Sequence, residues 1–163
     1  MAEKKKPDML QPVTDDTRAA ARDLLDNATY ASIATIDPKT GDPMCSRIGF
    51  ATDSKGHPVF IMSSLSGHHA ALVNHPQTSL LIGEPGSGDP LAHERISLFG
   101  KAVQVQDEED RASVRTSYLS RNPKAKLYVD LNGFTFWRLL AERAGYVVGF
   151  GKAYALTSAD LKA

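Results

Sequence analysis

Five polar residues in one short segment have side chains that could hold a phosphate group. Residues 59–62 form an apolar run, and the next eight residues contain three serines and two histidines before a helix-like stretch. The polar members are Ser63, Ser64, Ser66, His68 and His69. A helix that begins near Ser66 would present unpaired backbone N–H groups and the positive end of its dipole, with hydroxyls and imidazoles as further donors. One N-capping serine explains only part of this group, so the segment indicates a phosphate site.

Arg47 lies in an earlier segment, residues 44–52, that has the pattern of a strand. Successive side chains of a strand point to opposite faces, so Arg47 shares a face with Gly49, whereas Ile48 and Phe50 share the other. A guanidinium beside residues with almost no side chain leaves room for a flat anionic ligand against the backbone. The alternative is an arginine that extends from an ordinary barrel exterior, and Arg47 taken alone favours that alternative.

Six short motifs occur in an order that resembles one known family. They are residues 47–50, 63–70, 83–91, 95–102, 136–138 and 149–151. Together they resemble the pyridoxamine 5'-phosphate oxidase-like FMN-binding split barrels, and within that superfamily the branch that contains the haem-utilisation proteins. The resemblance extends over residues 14–155. It implies a homodimer with FMN in two clefts between the subunits.

The resemblance also implies roles for individual residues. Arg47 matches a strand arginine that contacts the FMN phosphate or ribityl chain, and residues 63–65 match the strand end along the isoalloxazine. His68 and His69 match a basic pair, Arg-Lys in the pyridoxamine oxidases, that grips the phosphate. Arg95 matches a glutamine that reaches the flavin from the partner subunit. The implied FMN-binding residues are Arg47, Ile48, Gly49, Ser63, Ser64, Leu65, Ser66, His68, His69 and Arg95.

Two departures from the family pattern affect the expected chemistry. Because histidines replace the Arg-Lys pair, phosphate affinity is expected to fall as pH rises through about 6.5, where an unperturbed imidazole loses its charge. The Arg-x-His that holds the vitamin in true pyridoxamine oxidases has no counterpart around residues 149–152. Oxidation of vitamin B6 is therefore not expected of this chain.

Three functions agree with these residues. The first is a flavin-dependent oxidoreductase that acts on an unidentified small substrate, in which FMN supplies the redox chemistry and no catalytic residue is assigned. The second is haem binding or haem degradation, placed second because longer haem-degrading members carry a further C-terminal domain and tail. The third is a flavin or haem binder without catalysis. Turnover of a reduced nicotinamide would separate the first from the others.

Composition limits the class of partner and the compartment. The 163 residues carry 19 Lys and Arg against 19 Asp and Glu, so zero net charge gives no electrostatic case for a nucleic-acid partner. No apolar run approaches the roughly 20 residues that cross a bilayer, and no signal-peptide region follows the N-terminal lysines. Cys45 is the only cysteine, which excludes an intrachain disulfide. We expect a soluble, cytoplasmic protein with one domain, residues 14–163, after a flexible tail, residues 1–13.

Short strands dominate the predicted elements and indicate a small antiparallel barrel. The predicted class is mainly β with peripheral helices, a Greek-key split β-barrel of about six to seven strands. Histidine spacing argues against a metal site, and Trp137 is assigned to the barrel core or to dimer packing. Helices are predicted at 14–27, from 66, at 108–119 and at 124–129. Strands are predicted at 30–36, 44–52, 58–63, 78–84, 95–106, 134–140 and 145–155.

Overall fold

The computed structural model describes residues 10–162, in which α-helices are inserted between the strands of one sheet. The helices are α1 (Asp15–Asn27), α2 (Gly67–Asn74) and α3 (Glu108–Arg121). The strands are β1 (Tyr30–Ile36), β2 (Pro43–Thr52), β3 (Pro58–Ser63), β4 (Gln77–Ile82), β5 (Arg95–Gln104), β6 (Phe134–Val147) and β7 (Ala153–Thr157). Two short 3-10 helices, Pro90–Ala92 and Pro123–Leu127, lie in the connections.

Six of the strands close into an antiparallel barrel. Neighbouring strands follow the order β3, β2, β1, β4, β5, β6, and pairing of β3 with β6 closes the ring. The seventh strand, β7, pairs with the C-terminal part of β6. Closure leaves few unpaired strand edges, so most backbone donors and acceptors of the strands are satisfied within the sheet. The predicted fold class, a mainly β split barrel with peripheral helices, is confirmed.

Apolar side chains from all six barrel strands fill the interior. The bulkiest of them are Phe50, Phe60, Trp137 and Tyr146. Trp137 is 4% exposed, which agrees with its predicted place in the core. Helix α1 adds Ala21 and Leu25 to this core, while Leu24 and Ala28 pack at its margin. One face of α1 thus packs against the barrel core.

A second apolar cluster lies between α3 and the outer side of the barrel. Val114 and Tyr118 on α3 belong to it together with Ala51 on β2, Ile61 on β3 and Phe136 on β6. Asp107 caps α3 by accepting a hydrogen bond from the backbone N–H of Asp110, and acidic residues fill the first turn. Negative charge there is favourable because the N-terminus of a helix carries the positive end of its dipole. The cap stabilises α3 itself, and the apolar cluster holds α3 against β2, β3 and β6.

The end of the chain differs from the prediction of two strands at 134–140 and 145–155. The first continues unbroken as β6 to Val147, and the turn around residues 149–151 separates it from β7. Strand β6 stays paired with β5 beyond Leu140, and the register shift between Phe99 and Gly100 leaves Glu142 as an extra residue in β6. A Cβ at Gly100 would lie 2.1 Å from the Leu140 carbonyl oxygen, so only glycine permits this close approach.

The predicted N-terminal tail falls mostly outside the described residues. Residues 1–9 are not described, whereas Leu10 forms a parallel bridge with Ala153. The backbone N–H of Gln11 donates to the Ala153 carbonyl at 2.8 Å. Residues 10 and 11, which the prediction placed in a flexible tail, are thus attached to β7, a few residues before Thr14, the N-cap of α1.

Candidate ligand-binding site at the split in the barrel

The barrel opens where β2 and β3 separate. Only three residue pairs join these strands, from Thr52 and Pro58 to Phe50 and Phe60. Beyond Phe50, β2 stays paired with β1, and β3 stays paired with β6 as far as Ser63. Continuing the antiparallel register would put Arg47 opposite Ser63. The split therefore lies between residues 47–49 and residues 61–63, next to the segments for which the sequence predicts ligand binding. The backbone groups on the two separated strand edges do not pair across it.

The serines after β3 close a turn and cap α2. The Ser66 hydroxyl accepts from the backbone N–H of His69 at 3.3 Å and donates to the Ser63 carbonyl at 2.7 Å. The Ser63 hydroxyl accepts from the N–H of Leu65 at 3.2 Å. Two of the three serine hydroxyls thus make local hydrogen bonds, whereas the sequence predicted this for only one N-capping serine. The N–H groups of Gly67 and His68, in the first turn, have no acceptor within the helix and could meet a ligand.

The two histidines at the start of α2 have different surroundings. The His69 ring packs edge-on against Trp137, with ring centroids 5.6 Å apart and an interplanar angle of 90°. Burial lowers the pKa of His68 below its ordinary value, and the neighbouring charge of His69 lowers it further. A neutral imidazole is a metal ligand and a poor partner for phosphate. His68 therefore suits coordination better than the anion binding predicted from its position.

Two exposed leucines lie in the turns that follow β3 and precede β6. The backbone N–H of Ser64 donates to the Gly133 carbonyl at 2.7 Å and joins the turn before α2 to the turn before β6. Leu65, in the turn before α2, is 95% exposed. Leu131, in the turn before β6, is 56% exposed. Large apolar side chains exposed together at a cleft indicate a ligand or partner with an apolar surface. Leu131 was not among the residues predicted for the site.

The outer face of β2 is divided between an open part and a covered part. Arg47 is exposed, and its guanidinium lies 5.6 Å from the centre of the Tyr30 ring. At Gly49 an added Cβ would lie 1.9 Å from the Tyr118 hydroxyl oxygen. The space beside Gly49 that the sequence offered to a ligand is therefore filled by a side chain of α3. No sequence pattern links Tyr118 with Gly49, because the contact depends on where α3 packs.

Arg95 lies apart from the other predicted site residues. It begins β5, and its Nη1 donates to the carbonyls of Leu91 at 3.0 Å and His93 at 3.1 Å. Strands β2 and β5 lie on opposite sides of the closed ring, with β1 and β4 between them on one side and β3 and β6 on the other. One chain alone does not bring Arg95 beside Arg47.

Comparison with a family model settles which family the fold represents. The model described as CREG, beta-barrel, matches residues 12–161. The chain belongs to this CREG β-barrel family. The finding agrees with the split-barrel resemblance at the level of the fold, but it does not confirm the FMN-binding family.

Two relatives of this CREG-family chain have names that refer to haem. It is 36% identical over 155 residues to the noncanonical haem oxygenase HOZ, a chloroplastic protein of Arabidopsis thaliana, covering 94% of this chain and 45% of that relative. A solved haem-binding protein from Mycobacterium smegmatis is 28% identical with a TM-score of 0.80, covering 92% and 61% of the two chains. Campylobacter jejuni ChuZ is 15% identical with a TM-score of 0.82, covering 92% and 63%, which shows a shared fold.

These relatives change the ranking of the predicted cofactors. The branch with haem-utilisation proteins, stated from the motifs, receives direct support, whereas FMN binding receives none from the proteins named above. The CREG-family chain spans less than half the length of the curated relative. Within residues 10–162, no helix is both long and apolar enough to span a membrane.

Proposed function

We propose that this CREG-family chain binds haem at the split between β2 and β3. The observation that carries the proposal is the position of two histidines, His68 and His69, at the start of α2, directly after β3 and the exposed Leu65. The 36% identity to a protein described as a haem oxygenase supports the same ligand. This places haem ahead of FMN, the cofactor favoured by the motifs alone.

The residues at the split fit the chemical parts of haem. The imidazole of His68 or of His69 would coordinate the iron, and adjacent helical residues point about 100° apart, so one of the two would serve. Leu65 and Leu131 would contact the apolar porphyrin, and Arg47 would pair with a propionate. Bound haem supplies iron that can exchange electrons and react with oxygen. Degradation of haem in the presence of a reductant is the activity we propose for the loaded protein.

The proposal includes a homodimer that completes the site. The outer face of β1, β4 and β5 carries small and apolar side chains that line one pocket. They are Ser32, Ala34, Ser79, Leu81, Ser97 and Phe99. Packing of this face against a second copy would bury it and could bring Arg95 of one subunit to the split of the other. The interaction would explain why Arg95 is distant from Arg47 within one chain.

Replacement of the coordinating histidine is expected to weaken haem binding at least tenfold. Either His68→Ala or His69→Ala should show this loss together with a shifted Soret band, because the iron would lose its protein ligand. Haemin is titrated into the purified protein and followed by absorption between 350 and 700 nm, with reductant added afterwards to detect loss of the Soret band through degradation.

His75→Ala provides the matched control, since His75 is an exposed C-cap residue of the same helix. Its haem affinity and Soret position should equal those of the unchanged protein. The proposal is wrong if neither His68→Ala nor His69→Ala alters the haem spectrum. Intact haem under reducing conditions would limit the function to haem binding.

FMN remains the second candidate because Arg47 and the free N–H groups at the start of α2 suit a phosphate. If FMN binds there, Arg47→Ala should reduce its affinity ten- to a hundredfold, equivalent to about 1.5–3 kcal/mol for a charge-assisted hydrogen bond. Quenching of flavin fluorescence measures the affinity. Lys39→Ala, in the exposed turn between β1 and β2, is the control. Equal FMN affinity in the two variants would show that Arg47 does not bind the phosphate.

A further inference from the structure

A separate cavity of about 500 Å³ lies against α1 and contains none of the residues of the split. Its walls come from α1, the turn between β2 and β3, strands β5 and β6, and the segment after β7. The lining residues that matter below are Arg22, Lys55, Lys101, Glu142, Leu161 and Lys162. A volume of this size is ordinary for a site that takes a small molecule.

The residues that line this cavity carry an excess of positive charge, unlike the chain as a whole. Four permanent cations, Arg22, Lys55, Lys101 and Lys162, line it together with one acid, Glu142. The chain as a whole has equal numbers of basic and acidic residues. A cleft lined by one sign of charge concentrates ligands of the opposite sign. The cavity therefore favours an anion.

Apolar residues form the deeper part of the cavity. Leu25 and Leu98 belong to the barrel core, and Pro58 is also buried. Leu140 and Leu161 contribute further apolar lining. Inorganic phosphate would leave this surface in contact with water, whereas an apolar chain would cover it. The lining thus suits a ligand with an apolar body and an anionic head.

Arg22 holds two walls of the cavity together. Its Nη1 donates to the carbonyls of Gly56 at 3.0 Å and Leu161 at 3.1 Å. Its Nε and Nη2 are buried without a hydrogen bond, although the Asp26 carboxylate approaches Nη2 to 3.0 Å. The Arg22 side chain is only 18% exposed, so its charge is poorly screened by water. Because Asp26 pairs with Arg22, the positive field at the cavity comes mainly from the three lysines, and Arg22 joins the walls that present them.

We propose that the cavity is a second binding site, which takes an organic anion of the size and polarity of a medium-chain carboxylate. The apolar chain lies against Leu25 and Leu98, and the carboxylate faces Lys101 and the other lysines. This site is independent of the split and of the cofactor that binds there.

Isothermal titration of the full chain with three eight-carbon probes tests the proposal. Octanoate, 1-octanol and octylammonium share the same apolar body and differ in charge. Octanoate should bind at one site at least tenfold more tightly than 1-octanol, and octylammonium more weakly still, because the cations repel it. Raising NaCl from 50 to 500 mM should weaken octanoate binding. Equal binding of octanoate and 1-octanol, or no binding of octanoate, would overturn the proposal.

Substitutions locate the site. Lys101 is exposed, so Lys101→Gln should fold normally and reduce octanoate affinity several-fold. Lys124→Gln, an exposed lysine outside the cavity, is the matched control and should leave the affinity unchanged. His69→Ala should also leave it unchanged, since His69 lies at the split. Unchanged affinity in Lys101→Gln, or a loss in His69→Ala, would contradict binding in this cavity.

Discussion

Arg138→Met is expected to lower the free energy of unfolding by about 3–5 kcal/mol, the usual result of removing one partner of a buried ion pair. Arg138 Nε donates to Asp53 at 2.8 Å, and its two terminal nitrogens donate to Asp110 at 2.9 and 2.8 Å. The Asp53 side chain is only 3% exposed. Methionine fills a similar volume without charge, so the variant leaves a buried carboxylate without its cation. Urea denaturation followed by circular dichroism measures the loss.

Arg115→Met is the matched control for Arg138. Arg115 also makes a bidentate pair, with Asp130, but that carboxylate is 55% exposed, so its loss should cost no more than about 1 kcal/mol. The double variant Asp53→Asn with Arg138→Met should be more stable than the sum of the single losses predicts. Equal losses in Arg138→Met and Arg115→Met would contradict a buried role for Arg138.

The same network gives stability a dependence on acid pH. Hydrogen bonding to Arg138 lowers the pKa of Asp110 in the folded chain. A carboxyl whose pKa is lowered by folding contributes stability above its unfolded pKa and loses that contribution as pH falls through the folded value. In the unchanged protein the contribution is therefore present at neutral pH and lost below about pH 4. Arg138→Met should lack this part of the acid dependence.

Gly49→Ala is expected to destabilise the fold by about 3 kcal/mol, at the upper end for an overpacked core. The new methyl group would lie 1.9 Å from the Tyr118 hydroxyl oxygen and 3.2 Å from the carbon that bears it. Tyr118 is fully buried between α3 and the barrel, so relief requires α3 to move. Thermal and urea unfolding of the variant measure the cost.

Tyr118→Phe tests whether a steric clash with the Tyr118 hydroxyl causes the loss of stability in Gly49→Ala. The Tyr118 hydroxyl is buried without a hydrogen-bond partner, so its removal alone should change stability by less than about 1 kcal/mol. In the Tyr118→Phe background, Gly49→Ala should cost less because its closest contact is gone. Gly145→Ala is the control, since this strand glycine has nothing within 4 Å of an added Cβ. A similar loss in both glycine variants would exclude overlap with Tyr118.

Local patterns predicted most of the elements. The bounds of β1 and β3 match the prediction, and Thr14 and Ser66 cap α1 and α2 near the expected starts. These features depend on alternation and capping within a few residues, which a sequence displays directly. The strand β6 was predicted as two pieces because its continuity depends on the register with β5, a pairing between distant residues.

The candidate site was predicted in part. Residues 47–49 and 63–69 fall on either side of the split, as the motifs indicated. The roles that we propose for them differ from those that the motifs implied, because burial lowers the pKa of His68 and because two serines are used in the turn and the cap. Leu131 joined the site through the hydrogen bond between Ser64 and Gly133, which no sequence spacing reveals. The assignment of FMN rested on motifs shared across a superfamily whose members use different ligands.

The sequence by itself determined that this chain forms a small antiparallel barrel with a capped helix after β3. Side-chain alternation, turn residues and helix caps act over a few residues, so their consequences are visible without a fold. Only the tertiary structure decided that Tyr118 fills the space beside Gly49, that the turn before α2 is joined to the turn before β6, and that four cations line one cavity. Those properties depend on packing between distant elements, because burial and electrostatic fields are set by every neighbouring segment together.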